Sequence, residues 1–453
     1  MFALIGCTAL GGENVSSKGT IRIAVNLTVL GSDGGRTALN GVKFAVQRAA
    51  KRIDGWNLAL DIYDDTRQGA ANADVGVENI RNMIRGGDVG MIGPYASSIA
   101  KAEIPIAAGA HLAVISPSNS HPCLTKNVPG CADPASLRNG NPNDYFRVVT
   151  TDEYQSVAMA DYFYDLLSMR KVGVLDDSVT GRRFAQAFET EFKARGGAVL
   201  HRSYLKDQVS DFTPYLRAFK DGGAEGIYIG GTDDQNACIP RRQMAALGID
   251  SWTYGGGGGI ATAACVDDAA PSALGMLVTN VGPDTTQMAS AQSIIRDFSK
   301  AFPRREDFGH FTMTAYDATE ILIRAIKIAI DGGRDPRQIE AFRESVRANV
   351  AATVGYAGAT GIIGFDQFVP DLILLDIALP GMDGLALLDA IRAKERLREI
   401  PILILTNHDD AETEKRSLEL GASQFLSKSR TTLDALAGWV RRSSNPDLGY
   451  PQS

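Results

Sequence analysis

The chain has 453 residues, 44% apolar and 22% charged, with a formal net charge of −7 and a sequence pI near 5.4. That length predicts two or three domains, and the apolar share is enough for sizeable cores. The acidic balance argues against nucleic acid or an anionic membrane surface as partner. No run of about eighteen apolar residues offers a membrane-spanning helix.

At the start, Leu4-Ile5-Gly6-Cys7 resembles the lipobox that closes a bacterial lipoprotein signal, which implies lipid on Cys7, although the basic region and most of the apolar region ahead of it are missing. Residues 1–18 are therefore expected to be a signal remnant and tether. The other cysteines are Cys123, Cys131, Cys238 and Cys265. In an exported chain they allow two disulfides in three connectivities. Cys123–Cys131 within one loop and Cys238–Cys265 between two later loops are the candidate pairs, with free buried thiols as the alternative. No CxxC or Cys/His cluster suits a metal.

From Thr20 onward, strands and helices alternate. Ile21–Leu27 reads as a strand, 31–35 as a Gly-rich turn, and 38–53 as a helix. Leu58–Tyr63 is a strand ending at Asp64-Asp65, and 70–85 is a helix. Val89–Gly93 and His111–Ile115 are two more strands flanking a helix over 99–109. Each ends in a serine-bearing turn, Ala96-Ser97-Ser98 and Ser116-Pro117-Ser118-Asn119-Ser120. This is a βαβ arrangement with a parallel sheet, and open parallel sheets bind ligands beyond the carboxyl ends of their strands. Backbone N–H groups and hydroxyls at a helix start suit a carboxylate. The plain alternative is that Ser97 only caps its helix and Ser116-Pro117 only turns the chain. After a loop over 121–144, strand 146–149 leads to Thr150-Thr151-Asp152, an N-terminal cap for a helix over 153–168. A second run of the same kind spans 171–247, so two α/β lobes in series are expected to hold a ligand between them.

The phrases I-R-I-A-V-N-L-T, D-I-Y-D-D-T, M-I-G-P-Y-A-S-S, V-I-S-P-S-N-S, I-Y-I-G-G-T and G-M-L-V-T-N-V-G-P-D resemble type I periplasmic solute-binding proteins of the leucine/isoleucine/valine-binding family. The resemblance covers about Thr20 to Asp366. It implies an α/β, two-lobed fold of doubly wound parallel sheets that closes like a hinge about three crossings. The expected crossings are 148–151, 279–283 and near 352–361. The lobes would be 19–148 plus 280–350 and 149–279 plus 351–366. Members deliver amino acids or related solutes to an ABC permease and catalyse nothing. Carried over by position, Ser97, Ser118 and Ser120, with Ser98 beside them, grip the substrate carboxylate. The opposite lobe departs from the pattern: Thr180 and Thr232-Asp233 stand where aromatics belong. Gly258 stands where the family places a carboxylate for the ligand ammonium. A buried ammonium without a partner costs several kcal/mol, so either Asp233 or Asp234 replaces that carboxylate or the ligand differs. Both aspartates otherwise read as a solvated loop.

Past Asp366 the pattern changes. F-V-P-D-L-I-L-L-D-I-A-L-P-G-M-D-G resembles a response-regulator receiver domain, a partial flavodoxin-like fragment over 368–442 followed by a tail over 443–453. The resemblance puts the phospho-accepting aspartate at Asp376, the switch hydroxyl at Thr406 and the phosphate-side lysine at Lys428. The receiver's first two strands are missing, and with them the acidic pair that holds Mg²⁺. Its third strand becomes a bare edge. Asp376 is therefore expected to accept phosphate poorly, and Mg²⁺ enters only if this remnant is active. The two parts read as a recombined or misassembled reading frame. The alternative is a genuine fusion in which ligand binding talks to a phosphorelay in the cytoplasm. The leading expectation is a periplasmic or cell-surface solute-binding protein, attached to a membrane only through a lipid. An enzyme is not expected, because the five histidines fall in no ligand-like spacing and no nucleophile–base pair is evident.

Overall fold

The structure is a computed structural model and describes residues 17–49, 52–127, 131–177, 181–205, 208–231, 236–365, 373–379, 382–393, 400–407 and 410–432. Cys7, Thr180, Thr232, Asp233 and Asp234 lie outside them. The chain divides into two compact units, Met1–Asp366 and Gln367–Ser453. The division falls where the sequence pattern changes.

The first unit has two lobes. In the first lobe the sheet runs Arg52–Ile53, Trp56–Asp64, Thr20–Leu27, Gly90–Ile92, Ala113–Ser116, Tyr145–Arg147, and only the Arg52–Ile53 edge pairs antiparallel. Thr20–Leu27 lies near its centre, and its stretch from Ile23 to Leu27 is buried throughout and apolar except for Asn26, as suits a parallel strand covered on both faces. Ile21, Val25 and Leu27 pack with Val42, Leu322 and Phe342 on one face. Ala24, Met91 and Val114 pack with Ile80, Met83 and Ile104 on the other. Helix Asp33–Arg48 starts earlier than the expected 38, because the Ser32 hydroxyl accepts the N–H of Gly35 and caps it. Helix Ala73–Gly86 is capped by Asn72 and closed by Gly87 in the left-handed region.

The second lobe holds an all-parallel sheet in the order Ala198–Ser203, Lys171–Asp176, Gly226–Gly230, Thr253–Gly256, Leu277–Val278. Helices Asp152–Asp161, Arg182–Ala194 and Thr213–Asp221 flank it. Both candidate disulfides are formed, Cys123–Cys131 with Cα atoms 5.0 Å apart and Cys238–Cys265 with 5.2 Å. Two crossings join the lobes side by side, the Thr150 N–H donating to the Val281 carbonyl at 3.0 Å. Thr151 occupies the N-cap position of Asp152–Asp161 but makes no side-chain capping bond. Its hydroxyl instead receives Lys126 Nζ at 2.6 Å.

The assignment of 351–366 to the second lobe is corrected here. Tyr356, Ile363 and Phe365 pack against the first lobe's core. The buried Asp317 carboxylate takes the N–H groups of Ala359 and Thr360, both at 2.8 Å. Strands Tyr356–Gly358 and Gly361–Ile363 form a hairpin there, so 352–361 is not a third crossing.

In the second unit, strands Ile373–Leu375, Ile402–Thr406 and Gln424–Ser427 form a parallel sheet in that order. Leu375, Leu388, Ile402, Ile404 and Phe425 make its core. Among the described residues Ile373–Leu375 pairs on one side only, and Leu374 is 48% exposed.

Beneath the first lobe's turns lies a buried polar network. The Asn26 amide donates to Glu103 Oε1 at 2.5 Å, Asn79 donates to Asn26 Oδ1 at 3.0 Å, and the Thr28 hydroxyl donates to Asp65 at 2.7 Å. Burial holds Glu103 well above the ordinary carboxyl range, and burial also pushes Asp65 up to about 6. A carboxyl raised on folding takes up a proton that the unfolded chain has released, so its contribution to stability is lost as pH climbs through the folded value. Glu103→Gln, which mimics the protonated acid, is expected to raise the melting temperature at pH 8 and flatten its decline from pH 5 to pH 8. An unchanged slope in a pH series of thermal melts contradicts a protonated Glu103.

Candidate functional site

The carboxyl ends of Gly90–Ile92 and Ala113–Ser116 carry the two serine turns to one edge of the first lobe. Gly93 makes this approach possible. Its φ is +130°, and a Cβ there would lie 2.1 Å from the Asn26 carbonyl oxygen. Ser116 is fully buried and joins the turns: its hydroxyl donates to the Pro94 carbonyl at 2.9 Å. The same oxygen accepts the N–H groups of Ser118 at 3.3 Å and Asn119 at 3.0 Å. The Ser118 hydroxyl donates to the Tyr95 carbonyl at 2.9 Å, and the Asn119 amide joins it there at 2.7 Å. Tyr145 holds the other end of that amide at 2.7 Å.

Helix Ser97–Gly109 has Ala96 at its N-cap position and no side-chain capping bond. The reading of Ser97 as a mere cap therefore fails. Its hydroxyl accepts the N–H of His121 at 3.3 Å and so faces the second turn. Ser98 is exposed and Ser120 half-buried; the Ser120 carbonyl accepts the Asp152 N–H at 3.0 Å. The structure thus brings Ser97, Ser118 and Ser120 to one ledge beside the first crossing. Arg147 steadies that ledge by donating to the Asn119 carbonyl at 3.2 Å and the His121 carbonyl at 2.8 Å.

Facing the same crossing, the second lobe presents Gly258. Its N–H donates to Gln155 Oε1 at 3.0 Å, and Gln155 Nε2 donates to Asp152 Oδ1 at 3.2 Å. Asp152 in turn pairs with the Arg183 guanidinium. A Cβ on Gly258 would lie 3.2 Å from Asn280 Oδ1, and one on Gly257 would lie 3.6 Å from Gln155 Oε1 and 3.8 Å from the Phe184 ring. Sequence reasoning missed Asp152, Gln155, Arg183 and Phe184. They come from two helices with no shared motif, and the only signal was the polar start of each helix. No group of three or more His, Cys, Asp or Glu side chains among the described residues is arranged for a metal.

In the second unit Lys428 Nζ pairs with the Asp376 carboxylate, and the Lys428 N–H donates to the Thr406 carbonyl at 2.8 Å. The three residues carried over from the receiver pattern therefore meet at one end of the sheet.

The sequence profile described as periplasmic binding protein matches residues 20–370, and that described as response regulator receiver domain matches 335–437. The Leu/Ile/Val-binding protein homolog 3 of Brucella melitensis is 25% identical over 313 residues, 68% of this chain and 79% of its own length. The response regulator PleD of Caulobacter vibrioides is 37% identical over 71 residues, only 16% of its own length. Among solved structures, the branched-chain amino acid transporter substrate-binding protein LivJ of Streptococcus pneumoniae, in complex with isoleucine, superposes with a TM-score of 0.62. It is 21% identical and covers 77% of this chain and 92% of its own. A solute-binding protein of an ABC transporter from Rhodopseudomonas palustris, in complex with 3,4-dihydroxybenzoic acid, gives 0.59 at 19% identity over 77% and 89%. With residues 20–370 matched, the chain belongs to the periplasmic binding protein family and carries a response-regulator receiver domain toward its C-terminal end.

Proposed function

We propose that the first unit is an extracytoplasmic solute receptor that binds an amino acid or a related small carboxylate between its lobes and hands it to an ABC permease. The single observation that carries this reading is the serine ledge. Ser97, Ser118 and Ser120 converge at the edge where parallel sheets bind ligands, at the start of a helix whose first N–H groups favour an anion. The two disulfides fit an oxidising compartment, and a lipid on Cys7 is the proposed attachment. The LivJ relative holds isoleucine and the Rhodopseudomonas relative a benzoic acid; both ligands bear a carboxylate. No cofactor enters this reading.

Binding at 100 times Kd stabilises the folded state by about 2.7 kcal/mol. A thermal-shift screen of the full chain against amino acids, amides and small acids should therefore return a rise of several degrees for at least one carboxylate. Ser97→Ala is expected to weaken that ligand about tenfold or more by calorimetry, as loss of a hydrogen bond to a charged group implies. Unchanged affinity in that variant would remove the ledge from the account.

A second reading, ligand-controlled phosphorelay signalling, has one observation in its favour: Asp376, Thr406 and Lys428 meet. Mg²⁺ needs about six oxygens in octahedral order. At this site the described carboxylate is Asp376, already paired with Lys428, so the donor set does not fit the ion and we derive no phosphoryl transfer through it. We propose that the receiver remnant is inactive. Acetyl phosphate with Mg²⁺ should leave Asp376 essentially unlabelled by mass spectrometry. Full labelling would instead make the signalling reading the better one.

A further inference from the structure

We propose that Arg183 selects the ligand by an oxygen other than those of its ledge-bound carboxylate. The solute is then a small carboxylic acid with no α-ammonium, carrying a hydroxyl or second carboxyl oxygen that the Arg183 guanidinium reads. This rests on the receptor reading above, with the acid's carboxylate on the serine ledge.

The wall facing that ledge is already satisfied toward an ammonium. The Gly258 N–H is taken by Gln155, the Gln155 amide donates to Asp152, and Asp152 pairs with Arg183. Asp152 is 3% exposed, so the described carboxylate nearest this wall is buried and balanced by its own cation. Among the described residues, an ammonium arriving here meets a neutral pair and a glycine.

Donors are in excess on the same wall. A guanidinium offers five N–H groups and accepts none. Among the described residues one terminal nitrogen of Arg183 engages Asp152, while Nε, itself buried, has no hydrogen-bond partner. The side chain as a whole keeps 36% of its surface exposed. A buried donor without an acceptor is costly and rare, and an incoming oxygen that draws the guanidinium round relieves it.

Position makes Arg183 available to a ligand on the ledge. It lies in the first turn of Arg182–Ala194, beyond the carboxyl end of Lys171–Asp176. The start of that helix is held tight against Gly226–Gly230, where a Cβ on Gly181 would come within 1.7 Å of the Gly230 carbonyl oxygen. Its partner Asp152 donates its N–H to the Ser120 carbonyl, so the pair stands directly beside the ledge. The Phe184 ring, 5.0 Å from the Arg183 guanidinium carbon and beside Gly257, gives the body of the acid an apolar surface.

The test is calorimetry on the full chain with benzoate, 4-hydroxybenzoate, L-leucine and 2-hydroxy-4-methylpentanoate. The hydroxyl-bearing acid of each pair is expected to bind about tenfold tighter or better, the discrimination a hydrogen bond to a charged group supplies. Arg183→Met should erase the preference for 4-hydroxybenzoate over benzoate, read as the ratio of the two dissociation constants within that variant. Arg183→Lys keeps the pairing with Asp152 but not the planar fork; it should lose the same preference and stands in if the methionine variant does not fold. Tighter binding of L-leucine than of its hydroxy analogue overturns the proposal. Acid binding that needs Ser97 but ignores Arg183 overturns it alone, leaving the receptor reading intact. Binding of none of these carboxylates overturns it together with the ledge.

Discussion

The buried Ser116 hydroxyl is the constraint on which the site depends. One oxygen donates to the Pro94 carbonyl and accepts the N–H groups of Ser118 and Asn119. It thereby ties the turn after one strand to the turn after its neighbour. Without it the two turns have no common register, and Ser97 and Ser118 no fixed separation. Asn119 completes the brace by bridging the Tyr95 carbonyl and the Tyr145 hydroxyl. The Ser116 and Ser118 hydroxyl protons go to the Pro94 and Tyr95 carbonyls, whereas Ser97 accepts from His121 and keeps its own proton for a ligand. Holding that donor in place beforehand lowers the ordering cost of binding.

The same helix that offers Ser97 at its start buries Glu103 two turns further in. A charged Glu103 would set a negative group under the positive end of the helix and oppose an anion there. Burial raises its pKa well above the ordinary carboxyl value and so favours the neutral form, with Asn26 donating to one oxygen. A neutral Glu103 leaves the positive end of the helix at Ser97 unopposed. The first lobe thus reads as a surface for negative charge, with the Arg147 guanidinium bound to two of the ledge's carbonyls. The second lobe contributes a cation, Arg183, already half-answered by Asp152.

Much of the scaffold was legible, because parallel strands announce themselves as short apolar runs and the serine turns sit at their ends. The start of Asp33–Arg48 was not, because Gly34 and Gly35 look like a turn until Ser32 is seen as its cap. The third crossing failed for a different reason. Residues 352–361 look like a hinge, yet Asp317 holds Ala359 and Thr360 against the first lobe across 42 and 43 positions of sequence. The wall around Gly258 was invisible for the same cause: Gln155, Asp152 and Arg183 meet only after folding. In the second unit the order of Asp376, Thr406 and Lys428 was readable, since each stands at a strand end and a parallel sheet brings strand ends together.

The central claim is that a small carboxylate is gripped between the serine ledge and the Gly258 wall. Hydrogen–deuterium exchange on the full chain, with and without a carboxylate that raises its melting temperature, tests this most directly. The account predicts slowed exchange at Ser97, Ser118 to His121, Gln155 and Gly258 together, one set from each lobe. Slowing confined to Gln424–Ser427 and its neighbours, or spread evenly over the chain with these segments unchanged, would contradict it.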